Sequence, residues 1–167
     1  ELYAFEPMTI AADRTLQMDV GTTDFFYLGE GWYGKEWLSD DLTIRWTDDA
    51  AQFSLPEALV GDGDLRLRLR MAASDQSEQV STVVRLRQGM QSVTQWQVDT
   101  TWNVYEVTLP ASVLQGSDGL ASSSSGPIAP LDLWLETETW NPAALGLSAD
   151  ARDLGVMVDW IEVISDG

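Results

Sequence analysis

The sequence predicts an all-β fold, an antiparallel sandwich or barrel, on three observations. Apolar and polar residues alternate with a period of two in several short stretches, which is the pattern of strands with one buried face. Turn residues separate these stretches at intervals of roughly ten residues, as in sandwiches and barrels. No amphipathic helical repeat or coiled-coil heptad is visible in the 167 residues, so we expect helix to contribute only a turn or two.

The alternation is clearest in LRLRLRM, where arginines occupy one face and the apolar residues Leu65, Leu67, Leu69 and Met71 the other. Further strands are predicted at 42–46, 51–56, 80–87, 91–98, 103–109, 131–138 and 154–164. Turns are predicted at 61–63 and 99–101, at Pro110 and at 116–119. Short helical turns are predicted at 110–114 and 142–145. The Ser- and Gly-rich stretch 116–130 is interpreted as a long loop within one domain that spans residues 1–167.

Trp46 belongs to the stretch LTIRW, where it shares a face with Leu42 and Ile44. This period-2 arrangement predicts that the Trp46 ring is buried. Arg45 lies on the opposite face, where we expect it to form a structural ion pair with Glu36 or Asp48.

The strongest compositional feature is negative charge, with 27 acidic and 9 basic residues and a net charge of −18. A polyanion repels phosphate backbones and anionic lipid headgroups, so the composition disfavours binding to nucleic acid and to membrane surfaces. No apolar run approaches the roughly 20 residues that span a bilayer, so we expect no membrane insertion by this chain. The sequence opens at Glu1 without a basic n-region, so its start is either a mature end or, as we favour, the end of a piece excised from a longer protein.

The absence of two residue types restricts the chemistry. There is no cysteine and no histidine, which excludes disulfides, thiolate chemistry, Ser-His-Asp triads and histidine-ligated metals. Catalysis would have to use carboxylates, tyrosine, Lys35 or a hard metal ion. Since 27 acidic residues form pairs by chance, no pair stands out, and we predict that the protein is not an enzyme and has no catalytic residues.

Three stretches together resemble a known class of domain: YLGEGWYGKE followed by IRWTDDAAQFSLP, then WNVYEVTLP, and finally TWNPAALGLSADARDLGVMVDWIEV. They are similar to the carbohydrate-binding-module-like jelly-roll ectodomain attached to bacterial polytopic membrane proteins, including glycosyltransferase-like ones. The resemblance covers most of 16–163. It implies a two-sheet antiparallel β-sandwich, a jelly roll of roughly eight to ten strands. It also implies an extracellular, periplasmic or cell-surface location, as part of a larger membrane protein.

The candidate ligand-binding residues are Trp32, Tyr33, Glu36, Trp37 and Trp140. The first four lie in a glycine-flanked stretch that alternates poorly, and Trp140 lies in a predicted loop before a proline. Aromatic faces stack on the C–H surface of a sugar ring, and neighbouring carboxylates and amides accept hydrogen bonds from its hydroxyls. Asp40, Asp41 and Asn141 are further acceptors, and Trp134 is a further, outward-facing ring. The alternative is that tryptophan supplies only hydrophobic bulk.

Five arginines on predicted strands form a second group in this acidic chain: Arg66, Arg68, Arg70, Arg85 and Arg87. They could hold an anionic sugar or a phosphate in a fork geometry. They could equally pair across strands with Asp132, Glu136 and Glu138. We favour the structural role, because the acids that it needs lie on an outward strand face.

The sequence and the resemblance together predict a non-catalytic module outside the cytoplasm that binds a glycan or supports a membrane-anchored glycan-handling protein. If it binds a glycan, the acidic surface favours neutral sugars. Two alternatives stay open, a structural or protein-interaction ectodomain and a carboxylate-dependent glycanase. No cofactor and no metal ligands are assigned. A structural calcium ion is a further expectation, since the resemblance places one between the first and last strands of such modules, where Glu6, Asp19 and Asp159 are candidate oxygen ligands.

Overall fold

The computed structural model describes residues 15–56, 59, 63–77, 81–114 and 131–165. Strands make up 57% of this part of the chain and helix 4%, which confirms the all-β prediction. The strands are β1 (Thr15–Asp19), β2 (Glu36–Ser39), β3 (Leu42–Trp46), β4 (Ala50–Leu55), β5 (Leu65–Ala72), β6 (Ser81–Gln88), β7 (Gln91–Asp99), β8 (Asn103–Leu109), β9 (Leu131–Thr137) and β10 (Met157–Ser165). One short helix, α1 (Ala111–Leu114), lies in the predicted helical turn.

The strands form two antiparallel sheets that are not closed into a barrel. One sheet has the order β2-β3-β10-β5-β8, with β1 also paired to β10, and the other has the order β4-β9-β6-β7. From β3 to β10 the chain crosses from one sheet to the other at every step except the β6–β7 hairpin, which is the order of an eight-stranded jelly roll. This confirms the predicted two-sheet sandwich.

The main core lies between the two sheets and follows from the period of two. In β5 the residues Leu65, Leu67, Leu69 and Met71 are fully buried, while the arginines between them are half-exposed. The inward residues of β9, Leu131, Leu133 and Leu135, alternate in the same way. Burying each leucine side chain contributes about 1.5–3 kcal/mol, so this core holds the two sheets together.

Some predicted boundaries differ from the structure. The last strand begins at Met157 instead of 154, because Leu154 exchanges backbone hydrogen bonds with Trp140 in an isolated bridge. Residues 142–146 form hydrogen-bonded turns where a short helix was expected. Strands β1 and β2 were not predicted, and the expected long loop at 116–130 lies outside the described residues.

Trp46 is buried, with 8% of its surface exposed, as predicted. However, it belongs to a second, smaller cluster with Ile44 and Leu154 that is separate from the main core. Trp46 is paired with Met157, and Met157 with Ala72. Since Met71 points into the main core, its neighbour Ala72 and the residues in register with it lie on the outer face of the sheet. Trp46 therefore fills a cluster outside the sandwich.

Arg45 does not form the ion pair that the sequence predicted. Its guanidinium binds the carboxylate of Asp24, with 2.6 Å from Nε to Oδ2, and donates to the Tyr33 carbonyl at 3.0 Å. Asp24 is almost fully buried, with 2% of its surface exposed, and it follows a turn that packs against this face of β3. The prediction of Glu36 or Asp48 as the partner was wrong, because sequence proximity does not show which loop folds onto the strand.

The five strand arginines lie on two different surfaces. Arg66, Arg68 and Arg70 are on the outer face of the sheet that contains β5, whereas Arg85 and Arg87 are on the outer face of the β4-β9-β6-β7 sheet. Arg87 pairs with Glu136 at 2.8 Å, one of the predicted cross-strand pairs. Other arginines use different acids: Arg68 binds Glu106 and Glu162, and Arg70 binds Asp159.

Candidate functional site

A cleft of about 380 Å³ opens over the second cluster, on the outer face of the sheet that contains β3, β10 and β5. Its lining comes from six separate parts of the chain: β2, the end of β3, the segment after β5, the β7–β8 connection, the loop from 140 to 154 and the start of β10. The lining residues are Glu36, Leu38, Trp46, Ala73, Ser74, Asp75, Gln76, Thr100, Trp102, Trp140, Pro142, Ser148, Asp150, Arg152, Leu154 and Met157. Three of them are tryptophans.

The apolar lining of the cleft centres on Trp46 and Trp140. Their rings meet edge to face, with centroids 6.1 Å apart and an interplanar angle of 68°, an arrangement that aromatic pairs favour. The Nε1 atom of Trp140 is buried and has no hydrogen-bond partner among the described residues. Buried donors usually have a partner, so this indole N–H is a hydrogen-bond donor that the described part of the fold leaves unsatisfied.

The loop from 140 to 154 forms one wall of the cleft and is held by its own hydrogen bonds. Trp140 and Leu154 exchange two backbone bonds of 2.9 and 2.8 Å at its base. The Asn141 side chain donates to the Ala151 carbonyl and to the Asp153 carboxylate, both at 2.9 Å, and accepts from the amide of Ala144 at 3.0 Å. Asn141, which we expected to accept ligand hydrogen bonds, is therefore committed to shaping this loop.

Arg152 connects that loop to β2 across the rim of the cleft. Its Nε and Nη2 atoms donate to the Asp150 carboxylate at 2.9 and 2.7 Å, and its Nη1 atom donates to Glu36 at 2.7 Å. Hydrogen bonds from Arg152 lower the pKa of Asp150 from 3.8 to about 2, and those from Asp150 and then Glu36 raise the pKa of Arg152. The guanidinium also lies over the Tyr33 ring, 5.2 Å from its centroid. We call the group Glu36, Asp150 and Arg152 the rim clamp.

Trp102 lines the cleft from the position immediately before β8. Its ring is half-buried against the second cluster, and the guanidinium of Arg70 lies 5.1 Å from the ring centroid. Arg70 is in turn paired with Asp159. These contacts hold Trp102 in place while leaving part of its ring at the cleft.

Further polar lining comes from the segment after β5. Ser74 is buried and accepts a hydrogen bond from the Gln76 amide at 3.0 Å, which fixes a tight turn. Asp75 and Gln76 project from this turn and are exposed. The charged lining residues are Glu36, Asp75, Asp150 and Arg152, which gives one positive and three negative groups and a net charge of 1 − 3 = −2.

Two of the five predicted ligand-binding residues, Glu36 and Trp140, line this cleft, and the other three do not. Trp32 packs against the main core and donates its indole N–H to the Gln52 carbonyl at 2.6 Å. Tyr33 is half-buried in the second cluster and donates its hydroxyl to the Asp153 carbonyl. Trp37 is 62% exposed beneath Lys35 and, as the neighbour of Glu36 in β2, faces away from the cleft.

The glycine-flanked stretch is not a free loop, because Gly31 lets it pair closely with the chain around β4. Gly31 has φ of +79°, and a Cβ atom there would lie 1.8 Å from the Ala50 carbonyl oxygen. Backbone hydrogen bonds between 29–33 and 46–52 follow on both sides, including Tyr33 to Trp46 at 2.9 Å. The stretch thereby behaves as an added strand segment, which is why Trp32 is packed instead of projecting.

Two lining residues were missed as ligand candidates by sequence reasoning. Trp102, just before the strand predicted at 103–109, was not among the ligand candidates. Arg152 was not considered at all. It lies in a loop between Asp150 and Asp153, whereas every other arginine in the described part of the chain lies on a strand. An isolated loop arginine between acids was the signal that could have found it.

The outward-facing Trp134 lies on the opposite sheet, beside Arg87, whose guanidinium is 5.8 Å from its ring centroid. Of the expected calcium ligands, Glu6 lies outside the described residues and Asp159 is paired with Arg70. Asp19 accepts a hydrogen bond from Thr43 at 3.3 Å, and burial, with the nearby Asp159 and Asp24, raises its pKa. Within the described ranges, no three acidic side chains are grouped so as to hold a metal ion.

No helix in the part of the chain that the structure describes is long and apolar enough to cross a membrane. No family model matches the sequence, and no curated protein matches it. Among 15 matching chains of solved structures is one described as BiXyn10A CBM1 APO. It is 9% identical, covers 89% of this chain and 96% of that chain, and superposes with a TM-score of 0.45. A similarity this weak carries no argument about function.

Proposed function

We propose that the protein is a non-catalytic module that binds a neutral glycan in the cleft between the rim clamp and Trp102. The observation that carries the proposal is the combination of three tryptophans with a polar rim in one concavity. Sugar rings present C–H faces that stack on indoles and hydroxyls that bond to carboxylates and amides. Trp102 and Trp140 supply ring surface, and Glu36, Asp75 and Gln76 supply polar groups.

The charge of the cleft supports a neutral sugar over an acidic one. Its lining has a net charge of −2, within a chain of net charge −18. The one cationic group of the lining, Arg152, already binds two carboxylates. Uronic acids and sulfated sugars would therefore meet repulsion without a free cation to offset it.

The state of the carboxylates supports binding over hydrolysis. A glycosidase needs a general acid with a raised pKa and a second carboxylate nearby. In the cleft the pKa of Asp150 is lowered to about 2 by Arg152, and Glu36 is bound to the same guanidinium. Asp150 is thus not prepared to act as a general acid at neutral pH, and the Glu36 carboxylate is already engaged in an ion pair with Arg152.

The proposal includes the setting that the sequence resemblance implies. The module would act outside the cytoplasm, as part of a larger membrane protein that handles glycans. A structural or protein-interaction ectodomain is the alternative, and it predicts that no saccharide binds.

The test is a tryptophan fluorescence titration with a panel of neutral oligosaccharides, repeated on single variants. We expect Kd on the order of micromolar to millimolar for the wild type. Trp102→Ala should weaken binding about tenfold, since one stacked ring contributes about 0.5–1.5 kcal/mol beyond its buried area. Trp134→Ala is the matched control, because its ring lies on the opposite sheet, and it should leave Kd unchanged.

Four outcomes would contradict the proposal. If no neutral saccharide changes the fluorescence or the melting temperature, the scaffold alternative is favoured. If Trp102→Ala folds normally and binds as tightly as the wild type, the ligand does not occupy this cleft. Trp32→Ala and Trp37→Ala complete the set of variants. If only Trp37→Ala weakened saccharide binding, the site would lie on the other face of β2. Release of reducing sugar from a polysaccharide would favour the glycanase alternative.

A further inference from the structure

We infer that glycan binding continues from the cleft along the outer face of the same sheet, past Arg70 and Trp160 to Arg68, so that the protein recognises several consecutive units of a glycan chain. The inference rests on the proposed glycan-binding function and names the part of the glycan that is bound, a stretch of a neutral chain. It is carried by the strand register, by a fourth tryptophan on this face and by the unused donors of two arginines.

Strand register places this surface directly beside the cleft. Met157 lines the cleft from the start of β10. The outward pairs that follow along β10 and β5 are Trp160 with Arg70 and then Glu162 with Arg68. A bulge in β10 just before Trp160 keeps its ring on this face. Successive outward residues of a strand are roughly 6.7 Å apart, which is close to the length of one sugar unit. A glycan that leaves the cleft along these strands therefore meets a new pair with each unit.

Trp160 offers ring surface on this path. Its side chain is half-buried, and the guanidinium of Arg68 lies 5.8 Å from the ring centroid. In register, the residue is flanked by Asp19 of β1 and Arg70 of β5. The neighbouring strands thus hold the indole in place while part of it stays exposed. A stacking surface that is already ordered loses little conformational entropy when a sugar binds.

The two arginines beside this ring have hydrogen-bond donors to spare. Their side chains are 34% and 33% exposed, and each donates one hydrogen bond to a carboxylate, Arg68 to Glu162 and Arg70 to Asp159. The Nε atom of Arg68 lies 3.3 Å from a Glu106 carboxylate oxygen but has no hydrogen-bond partner in the described part of the chain. Because a guanidinium carries several N–H groups, both arginines keep donors for the hydroxyl oxygens of a glycan.

The carboxylates of this face favour a neutral chain over an anionic one. Glu106, Asp159 and Glu162 lie against the two guanidiniums and balance their positive charge. An anionic glycan would have to compete with these carboxylates for the arginines. A neutral hydroxyl needs only the N–H groups that the carboxylates leave unused, so the surface beside the cleft has the same preference as the cleft itself.

The experiment compares saccharides of one to six units by titration calorimetry. It uses several neutral series, the α-1,4 and β-1,4 gluco-oligosaccharides and the corresponding manno- and galacto-oligosaccharides. Stacking on Trp160 should tighten Kd about fivefold, at about 1 kcal/mol for one ring, and hydrogen bonds from the arginines should tighten it further. For the series that binds, we therefore expect Kd to fall at least about tenfold between two units and six.

Variants separate this surface from the cleft. Trp160→Ala should weaken binding of the hexasaccharide about fivefold and leave Kd for the disaccharide unchanged. Trp134→Ala is the matched control, because its ring also lies 5.8 Å from a guanidinium, that of Arg87, but on the opposite sheet. It should leave both Kd values unchanged.

A second pair of variants tests the donors and keeps every ring in place. Arg68→Gln should weaken binding of the hexasaccharide about threefold and leave the disaccharide unaffected. Arg87→Gln, which also breaks an ion pair with a glutamate, is its matched control and should change neither Kd. This pair decides the matter if Trp160→Ala does not fold.

Failure of the inference and failure of the proposed function give different results. A Kd that changes by less than about threefold between two units and six would confine the ligand to the cleft and overturn the inference alone. Equal weakening of short and long saccharides by Trp160→Ala or Arg68→Gln, or no weakening in the folded variants, would overturn it as well. If no neutral series binds, the proposed function itself is contradicted, and the inference falls with it.

Discussion

Replacing Trp46 with alanine tests the second cluster, because this ring is buried on the outer face of the sheet beneath Trp140. Truncating a large buried aromatic side chain costs about 3–5 kcal/mol. The cluster is small and close to solvent, so we expect a value near the lower end, about 3 kcal/mol. In urea, with an m-value of about 2 kcal/mol/M, the midpoint of unfolding should fall by about 1.5 M.

The matched control is Trp37→Ala, the same substitution at a ring that is 62% exposed and faces away from the cleft. Exposed substitutions of this kind usually change stability by less than about 0.5 kcal/mol. The two variants should therefore separate clearly in urea denaturation followed by far-UV circular dichroism.

A double-mutant cycle isolates the contact between the two rings. Trp140→Ala should also destabilise the fold, and the double variant with Trp46→Ala should show a coupling of about 0.5–1.5 kcal/mol, the range for edge-to-face aromatic pairs. Equal losses in Trp46→Ala and Trp37→Ala, or strictly additive losses in the cycle, would refute this account of the second cluster.

Three further predictions concern the stretch after Gly29 and the rim clamp. Gly31→Ala should destabilise the fold by more than about 2 kcal/mol, because φ of Gly31 is positive and a Cβ atom would meet the Ala50 carbonyl oxygen. Gly34→Ala is the matched control, since a Cβ atom there meets nothing within 4 Å. Similar melting temperatures for the two variants would contradict the prediction. Because the pKa of Asp150 is lowered from 3.8 to about 2, its contribution to stability is complete above pH 4 and is lost as the pH falls towards 2. The difference in melting temperature between wild type and Asp150→Asn should therefore shrink over that interval, and a constant difference would argue against the ion pair. Arg152→Gln should lower the free energy of unfolding by at most about 1 kcal/mol, since exposed ion pairs contribute little to stability. The same variant should weaken saccharide binding, measured by titration calorimetry, because it releases the rim of the cleft.

The sequence was sufficient for the fold class and for much of the core. Strict alternation in LRLRLRM predicts which face of β5 is buried, because successive side chains in a strand point to opposite sides. The same rule correctly predicted that Trp46 is buried and that Arg45 points away from it. These are local properties, and a strand's own residues determine them.

The partners of those residues depended on tertiary structure. Arg45 binds Asp24, which the turn after β1 brings against β3, and not the acids that are near it in sequence. Trp46 lies outside the sandwich, because the register through Met157 to Ala72 places it on the outer face. Alternation tells two faces apart but does not tell which one faces the other sheet.

By itself, the sequence determined that the chain forms alternating strands, that it is strongly acidic, and that histidine and cysteine chemistry is excluded. Only the tertiary structure decided where a ligand could bind. The cleft joins Glu36, Trp102, Trp140 and Arg152, which are far apart in the chain and meet because the jelly-roll order places β2, β8 and the β9–β10 loop around one end of a sheet. The physical reason is that burial follows a local period of two, whereas a concave site is made by long-range strand pairing and by loops whose hydrogen bonds form only once the sheets are in place.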